Sequence, residues 1–269
     1  MSRLTIFWVL HLTAMAIFLA GSWLHVSTWL QGQVEGRAGA GLGWALSASW
    51  RFLRRAGLRR TLRTLLLDGF FHRRLLAEDF WRWLAHACLL GGFIALTCLS
   101  TFTGIFEEGL IGLLKIRTPL TEAVVNKDTP IMALLNETLG LIMILGMLLI
   151  MVRRYIRRPA HLRTGAPDTV LVVLLAVILL SGYPTEALRL LIDRPGPALG
   201  WYSYIGYSLS LPFQSLNWPW ETLHYWTFLF HSTVASAFFA YVPFSKFFHV
   251  LVSPVVATAN VLAKEGQPA

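Results

Sequence analysis

Apolar residues in this 269-residue chain gather into five long runs separated by polar, arginine-rich or proline-rich stretches. The runs cover about residues 5–30, 83–106, 130–152, 169–192 and 221–245. The second holds no charged residue, the third carries only Glu137, and the fourth has Glu186 and Arg189 near its end. About 20 apolar residues cross a hydrocarbon core of roughly 30 Å as a helix. A helix also satisfies its own backbone there, which an isolated strand does not. The pattern therefore predicts an all-α integral membrane bundle of five transmembrane helices. Phe247–Ala263 is apolar but shorter and interrupted by Pro254, so it reads as an interfacial tail that docks a cytoplasmic subunit. Arg3, an apolar run and Ala20-Gly21-Ser22 mimic a secretory signal. The uncharged stretch from Leu4 to Val34 is too long for one and is read as an uncleaved first span.

Composition changes the picture little. A hydrophobic fraction of 55% and a mean hydropathy of +0.58 describe one membrane domain over residues 1–269 rather than a set of soluble ones. The charge is more informative. The net value is +9, with nine arginines between Arg51 and Arg82 and five between Arg153 and Arg163. Both clusters abut apolar spans, which favours cytoplasmic loops over nucleic-acid contact. They follow spans one and three, so the N-terminus is expected outside and the C-terminus in the cytoplasm. Trp218, Trp220, Tyr225 and Trp226 would anchor span five at the outer interface. In the basic cytoplasmic loop 51–82 and just before it, Trp50-Arg-Phe-Leu-Arg-Arg and Leu58-Arg-Arg-Thr-Leu-Arg-Thr-Leu-Leu-Leu suggest amphipathic helices on the membrane surface or under a partner. Cys88 and Cys98 stand ten apart, which is no iron–sulfur binding run.

Ionisable groups inside a bilayer are costly and mark function. The chain has eight histidines, and six lie in or at the ends of spans. His72 and His161 fall in basic loops. His231 and His249 are eighteen residues apart, five whole turns on one face of a straight helix, about 27 Å along its axis. Imidazoles at two such depths suit axial ligation of two stacked b-type haems. In the expected topology His86 and His249 share the cytoplasmic side, and His231 and His11 share the outer half. His25, fourteen residues after His11, competes with His86 for the inner position. His224, seven before His231, is an alternative ligand or a contact for quinol. Glu137, beside Asn136 in the outer part of span three, is positioned to take a proton from quinol; an interfacial carboxylate with a structural partner is the plainer reading. Glu186 and Arg189, three apart, can pair along one helix face. A lone intramembrane histidine is commonly an interhelical hydrogen-bond partner, and that reading weighs most on His11, His25 and His224.

Pro243-Phe-Ser-Lys-Phe-Phe-His249-Val-Leu-Val-Ser-Pro254, preceded by His231, resembles the last helix of the gamma subunit of respiratory nitrate reductases. Arg82-Trp-Leu-Ala-His86-Ala-Cys-Leu-Leu-Gly-Gly-Phe93 resembles the second helix of the same superfamily. Ser181-Gly-Tyr-Pro-Thr-Glu-Ala-Leu-Arg189 is closer to the cytochrome b subunits of membrane heterodisulfide reductases and of the Dsr-type sulfur-metabolism complex. The resemblance spans roughly residues 80–255. It implies a five-span dihaem cytochrome b in a prokaryotic cytoplasmic membrane, with His86 and His249 on the cytoplasm-proximal haem and His231 on the distal one. The nitrate reductase pattern takes its second distal ligand ten residues beyond His86, where this chain has Leu96. That departure leaves one or two haems open and makes His11 the distal candidate.

The resemblance also implies a partner, a cytoplasmic iron–sulfur subunit of the heterodisulfide reductase type, in a complex that can include periplasmic cytochrome or iron–sulfur subunits and a second membrane subunit. The expected role is electron exchange between membrane quinol or quinone and that partner in sulfur metabolism, with catalysis belonging to the complex. A haem-free anchor is the alternative. A proton-relay transporter fits poorly, since the chain shows no internal repeat and an odd number of spans.

Overall fold

The computed structural model describes residues 3–34, 37–39, 41–159 and 165–265; His161 and Arg163 lie outside the described residues. In chain order the helices are α1 (Arg3–Leu30), α2 (Leu42–Ala56), α3 (Leu58–Thr64), α4 (Arg73–Glu78), α5 (Phe80–Gly104), α6 (Pro119–Val125), α7 (Pro130–Met151), α8 (Ala166–Asp193), α9 (Pro197–Gly200), α10 (Tyr204–Ser210), α11 (Trp220–Tyr241) and α12 (His249–Glu265). π-helical turns extend α3, α5 and α7 over Leu65–Phe70, Ile105–Leu113 and Val152–Arg157. Two-residue strands, Gln33–Val34 and Arg37–Ala38, pair antiparallel after α1. The all-α expectation holds apart from this small ladder.

The start of α7 uses Pro130 at its first position, where a missing N–H costs nothing. At the start of α8, Asp168 Oδ2 accepts the Gly165 N–H at 3.1 Å and a 2.6 Å ion pair from Arg154. The basic π-turn that extends α7 is thereby tied to the beginning of α8.

Two expectations need correction. Among the described residues, six helices are long and apolar enough to cross a membrane: the five expected spans and Lys246–Lys264. Pro254 was expected to interrupt this segment, yet α12 runs through it. Pro254 forgoes the one bond that an N–H there would make to the Val250 carbonyl, and the helix continues on the bonds around it. The second correction concerns His231 and His249. They do not share one straight helix, because α11 stops at Tyr241. Val242–Phe244 forms a 3-10 turn, Ser245 is extended (φ −117°, ψ 166°), and Lys246–Phe248 forms another 3-10 turn before α12. Pro243 lacks an N–H and its ring opposes the carbonyl of Phe239. Ser245 Oγ then accepts the Phe247 N–H at 3.1 Å and starts the next turn.

The chain divides into two compact units: residues 1–7 with 84–235, and residues 8–83 with 236–269. In the first, small residues let helices approach closely. A Cβ at Gly92 would stand 2.5 Å from Met143 Cγ, and one at Gly146 would run into the Leu89 backbone, with Leu89 Cα at 2.9 Å. Close backbone approach at glycine is the usual packing device between membrane helices. Gly140 likewise leaves room for Tyr183, whose hydroxyl donates to the Glu137 carbonyl at 2.9 Å. The α10 segment packs on α8 and α7.

In the second unit α12 lies along α3 and the following π-turn. A Cβ at Gly69 would stand 3.0 Å from the Pro254 carbonyl oxygen. Thr61, Thr64 and Asp68 are buried on the loop side, and Thr258, Val261 and Leu262 on α12. On α1, Gly21 seats the 242–244 turn: a Cβ there would stand 2.7 Å from the Phe244 ring and 2.8 Å from Pro243 Cβ.

Candidate functional site

The first unit carries a polar cluster built around the motif Ser181–Arg189 on α8. His231, on α11, shares a 2.9 Å hydrogen bond between its Nδ1 and Ser181 Oγ. Ser181 spends its one hydroxyl proton on the Ile178 carbonyl at 3.1 Å. Its oxygen is therefore the acceptor, and His231 Nδ1 carries the proton. That tautomer leaves the His231 Nε2 lone pair as the available ligand atom. A Cβ at Gly182 would stand 3.6 Å from His231 Cε1, so the ring lies over a backbone with no side chain in the way.

One turn along α8, Glu186 and Arg189 pair as expected, at 2.8 and 3.2 Å. Arg189 also reaches Asp128 at 2.8 Å and Asp193 at 2.9 Å. Ser203 Oγ donates to Glu186 at 3.3 Å. Glu137 is 3% exposed. Its two carboxylate oxygens accept the backbone N–H groups of Ile205 (3.2 Å) and Gly206 (3.1 Å). A carboxylate at the first turn of α10 satisfies amides that the helix itself leaves unpaired. A Cβ at Gly206 would stand 2.7 Å from Glu186 Cγ and 3.1 Å from Glu137 Oε1, so the two acidic side chains flank one glycine. His224 is two turns before His231 on the same continuous helix α11, and its ring lies 6.3 Å from that of Phe228. His86 is half-buried on α5, beside the buried Ala85.

The second unit holds His11, His25 and His249. The His11 ring faces Phe239 with centroids 6.3 Å apart and 19° between planes. His25 Nε2 bonds the Pro243 carbonyl at 2.7 Å, and its ring stacks on Phe248 at 4.5 Å. A carbonyl only accepts, so His25 Nε2 is the protonated nitrogen. The same rule applied to His249, whose Nδ1 bonds the Lys246 carbonyl, puts the proton on Nδ1 and leaves Nε2 open. His249 opens α12 and is exposed.

An imidazole that ligates a metal almost always has its second nitrogen held by a hydrogen bond. At His231 and His249 Nδ1 is held in this way and Nε2 is left for a ligand bond. His25 presents its Nε2 to a backbone carbonyl instead. The donor set therefore fits haem at His231 and His249, while His25 is engaged in closing the turn between α11 and α12. Sequence reasoning missed Asp128, Ser203 and the Ser181–His231 bond. Ser181 and His231 lie fifty residues apart on different helices, a separation that no local spacing signals.

Comparison with known proteins places these features in a family. Residues 105–260, more than half of the chain, match the nitrate reductase gamma subunit family. The chain belongs to that family, and with its apolar helices it is a multi-pass membrane protein. Among individual relatives, it is 25% identical to a subunit of the dihydromethanophenazine:CoB–CoM heterodisulfide reductase of Methanosarcina thermophila, over 94% of this chain and 90% of that protein. The counterpart in Methanosarcina mazei is 27% identical over 74% of this chain and 67% of its own length. An EtfAB:quinone oxidoreductase of Syntrophomonas wolfei is 29% identical over 44% of this chain but only 18% of its own length. No solved structure gives a significant match. The likeness read from the 181–189 and 243–254 motifs, to gamma-type and heterodisulfide-reductase-type membrane subunits, is thus borne out.

Proposed function

We propose that this chain is a b-haem membrane subunit that passes electrons between membrane quinol and a cytoplasmic iron–sulfur subunit of the heterodisulfide reductase type. The observation that carries the reading is the matched state of His231 and His249, each with Nδ1–H tied to an oxygen and Nε2 open. Haem, when bound, supplies a one-electron carrier whose potential follows axial ligation, burial and nearby charge. The proposed ligands are His86 and His249 on the cytoplasmic side and His231 and His11 on the outer side, as their depths along the spans suggest.

The names of the relatives support the electron-transfer role, since they pair dihydromethanophenazine with a heterodisulfide, or EtfAB with quinone. On the outer side, His224 lies about 10 Å along α11 from His231, suitable for receiving a quinol proton. Glu137 is the second candidate; each of its oxygens accepts one amide of α10 and keeps a second lone pair for a proton. On the inner side, α12 packs against the arginine-bearing α3. This favours five spans with α12 at the cytoplasmic interface, N-terminus outside and C-terminus inside. That interface is the proposed dock for the iron–sulfur partner, in a prokaryotic cytoplasmic membrane and in sulfur metabolism. The second membrane subunit and periplasmic subunits belong to the same proposal.

The test is reduction of the purified, haem-loaded chain by a quinol analogue, followed in the visible absorption bands. Reduction in the wild type, with loss of one haem's share in His231→Ala, supports the reading. A chain purified with haem supplied that shows no haem absorption is an anchor only.

A further inference from the structure

Helices α2 and α3 each divide into three lengthwise sectors in the same rotational order. On α2, Leu42, Leu46, Trp50 and Leu53 follow the i, i+4, i+8, i+11 spacing of one face. They are 36% to 63% exposed. Arg54 occupies the next sector and is exposed, Ala48 is buried in the third, and the exposed Arg55 at the last turn lies away from the apolar stripe, on the side of Ala48. On α3 and its π-turn, Leu58, Leu62 and Leu66 form the exposed apolar stripe, at 71%, 48% and 51%. Arg59 and Arg63 flank it, and Thr61, Thr64 and Asp68 face α12. Gly57 joins the helices with φ +82°, a backbone state open to glycine, so each helix ends cleanly and the stripes restart. Among the described residues, Arg54, Arg55, Arg59 and Arg63 have no carboxylate partner. The neighbouring acid, Asp68, is already taken by Arg73 and Arg74 at 3.5 and 3.8 Å.

A helix with an apolar stripe on one side, protein beside it and arginines on the remaining flank lies in the plane of a bilayer surface. The stripe contains only leucines and one tryptophan, so the Trp50 indole N–H is its sole hydrogen-bonding side-chain group, too little to specify a protein partner. It also begins within a dozen residues of the end of α1, a membrane-length helix, so the bilayer surface is within reach. We infer that α2 and α3 form an interfacial binding surface for anionic phospholipid. Leu42, Leu46, Trp50, Leu58, Leu62 and Leu66 enter the acyl boundary, and Arg54, Arg59 and Arg63 bind the phosphate groups. The inference does not depend on haem binding.

The test uses the full chain with Cys88→Ala and Cys98→Ala, spin-labelled at L46C or L62C. It is embedded in bilayers of phosphatidylcholine with or without phosphatidylglycerol. Both labels should be more accessible to oxygen than to a water-soluble nickel chelate, and a label at R55C should show the reverse. Nickel-accessible labels at 46 and 62 would overturn the proposal. So would oxygen accessibility that disappears when a soluble partner subunit binds, since that marks a protein dock. The headgroup assignment is read separately from lipid retained on purification from the mixed bilayer. Replacing Arg54, Arg59 and Arg63 by glutamine should lower the retained phosphatidylglycerol-to-phosphatidylcholine ratio by up to roughly fivefold per arginine. An unchanged ratio would remove those arginines from the site.

Discussion

His25 donates its Nε2 proton to the carbonyl of Pro243 at 2.7 Å. The two residues are 218 positions apart, and the bond occupies a carbonyl set free where α11 ends. With Gly21 one turn earlier making room for Pro243 and Phe244, His25 fixes the bend after which His249 begins α12. His25→Ala should therefore lower thermal stability by about 1 kcal/mol for the lost bond and reduce haem content at the His249 site. His25→Gln, which keeps an N–H at similar reach, should restore both. A glutamine is no haem ligand, so equal loss in the two variants would make His25 an axial ligand instead. Haem stoichiometry and melting temperature of the two proteins decide it.

With haem on His231 as proposed, Ser181 would act on it through that ring. An N–H···O bond on a ligating imidazole increases its electron donation and favours ferric iron. Ser181→Ala should raise the midpoint potential of one haem while leaving haem content intact. At about 1 kcal/mol for the bond, the rise is on the order of 40 mV for a one-electron couple. Redox titration of the purified chain measures it.

Glycine positions in α5 and α7 separate packing from open surface. Gly146→Ala forces a methyl against the backbone of Leu89 and should destabilise by roughly 1–3 kcal/mol. Gly91→Ala meets nothing within 4 Å and should be neutral or stabilising by about 0.5–1 kcal/mol in mid-helix. Thermal unfolding in detergent, compared between the two, is the check.

Glu137→Ala removes the acceptor of two amides on α10. Each unsatisfied amide costs about 1–3 kcal/mol, enough to open the segment from about fivefold to more than a hundredfold more often. Hydrogen exchange over residues 197–213 should rise accordingly, while α5 exchanges as before. Unchanged exchange in that segment would return Glu137 to a purely chemical role.

Much of this architecture was legible in the apolar runs. The cores of α1, α5, α7, α8 and α11 fall where unbroken hydrophobic stretches of bilayer length require them. Glu186 and Arg189 paired as their spacing predicts, because i,i+3 neighbours meet whatever surrounds them. The bend after Tyr241 was harder to read. Pro243 was visible, but the turn at 242–244, after which the chain restarts as a helix at His249, is seated by Gly21 and His25, more than 200 residues away. Pro254 misled in the opposite direction: a proline in the second turn of a helix reads as an interruption but here leaves α12 continuous. Glu137 was recognised as costly in a membrane. The partners that accommodate it are backbone amides, which a sequence does not display.

Haem content of the purified full-length chain, measured by pyridine haemochrome against a protein mass determination, tests the central claim most directly. About two b haems per chain, falling to one in His231→Ala and in His249→Ala, is the predicted result. A chain that folds in membranes supplied with haem yet carries none would contradict it.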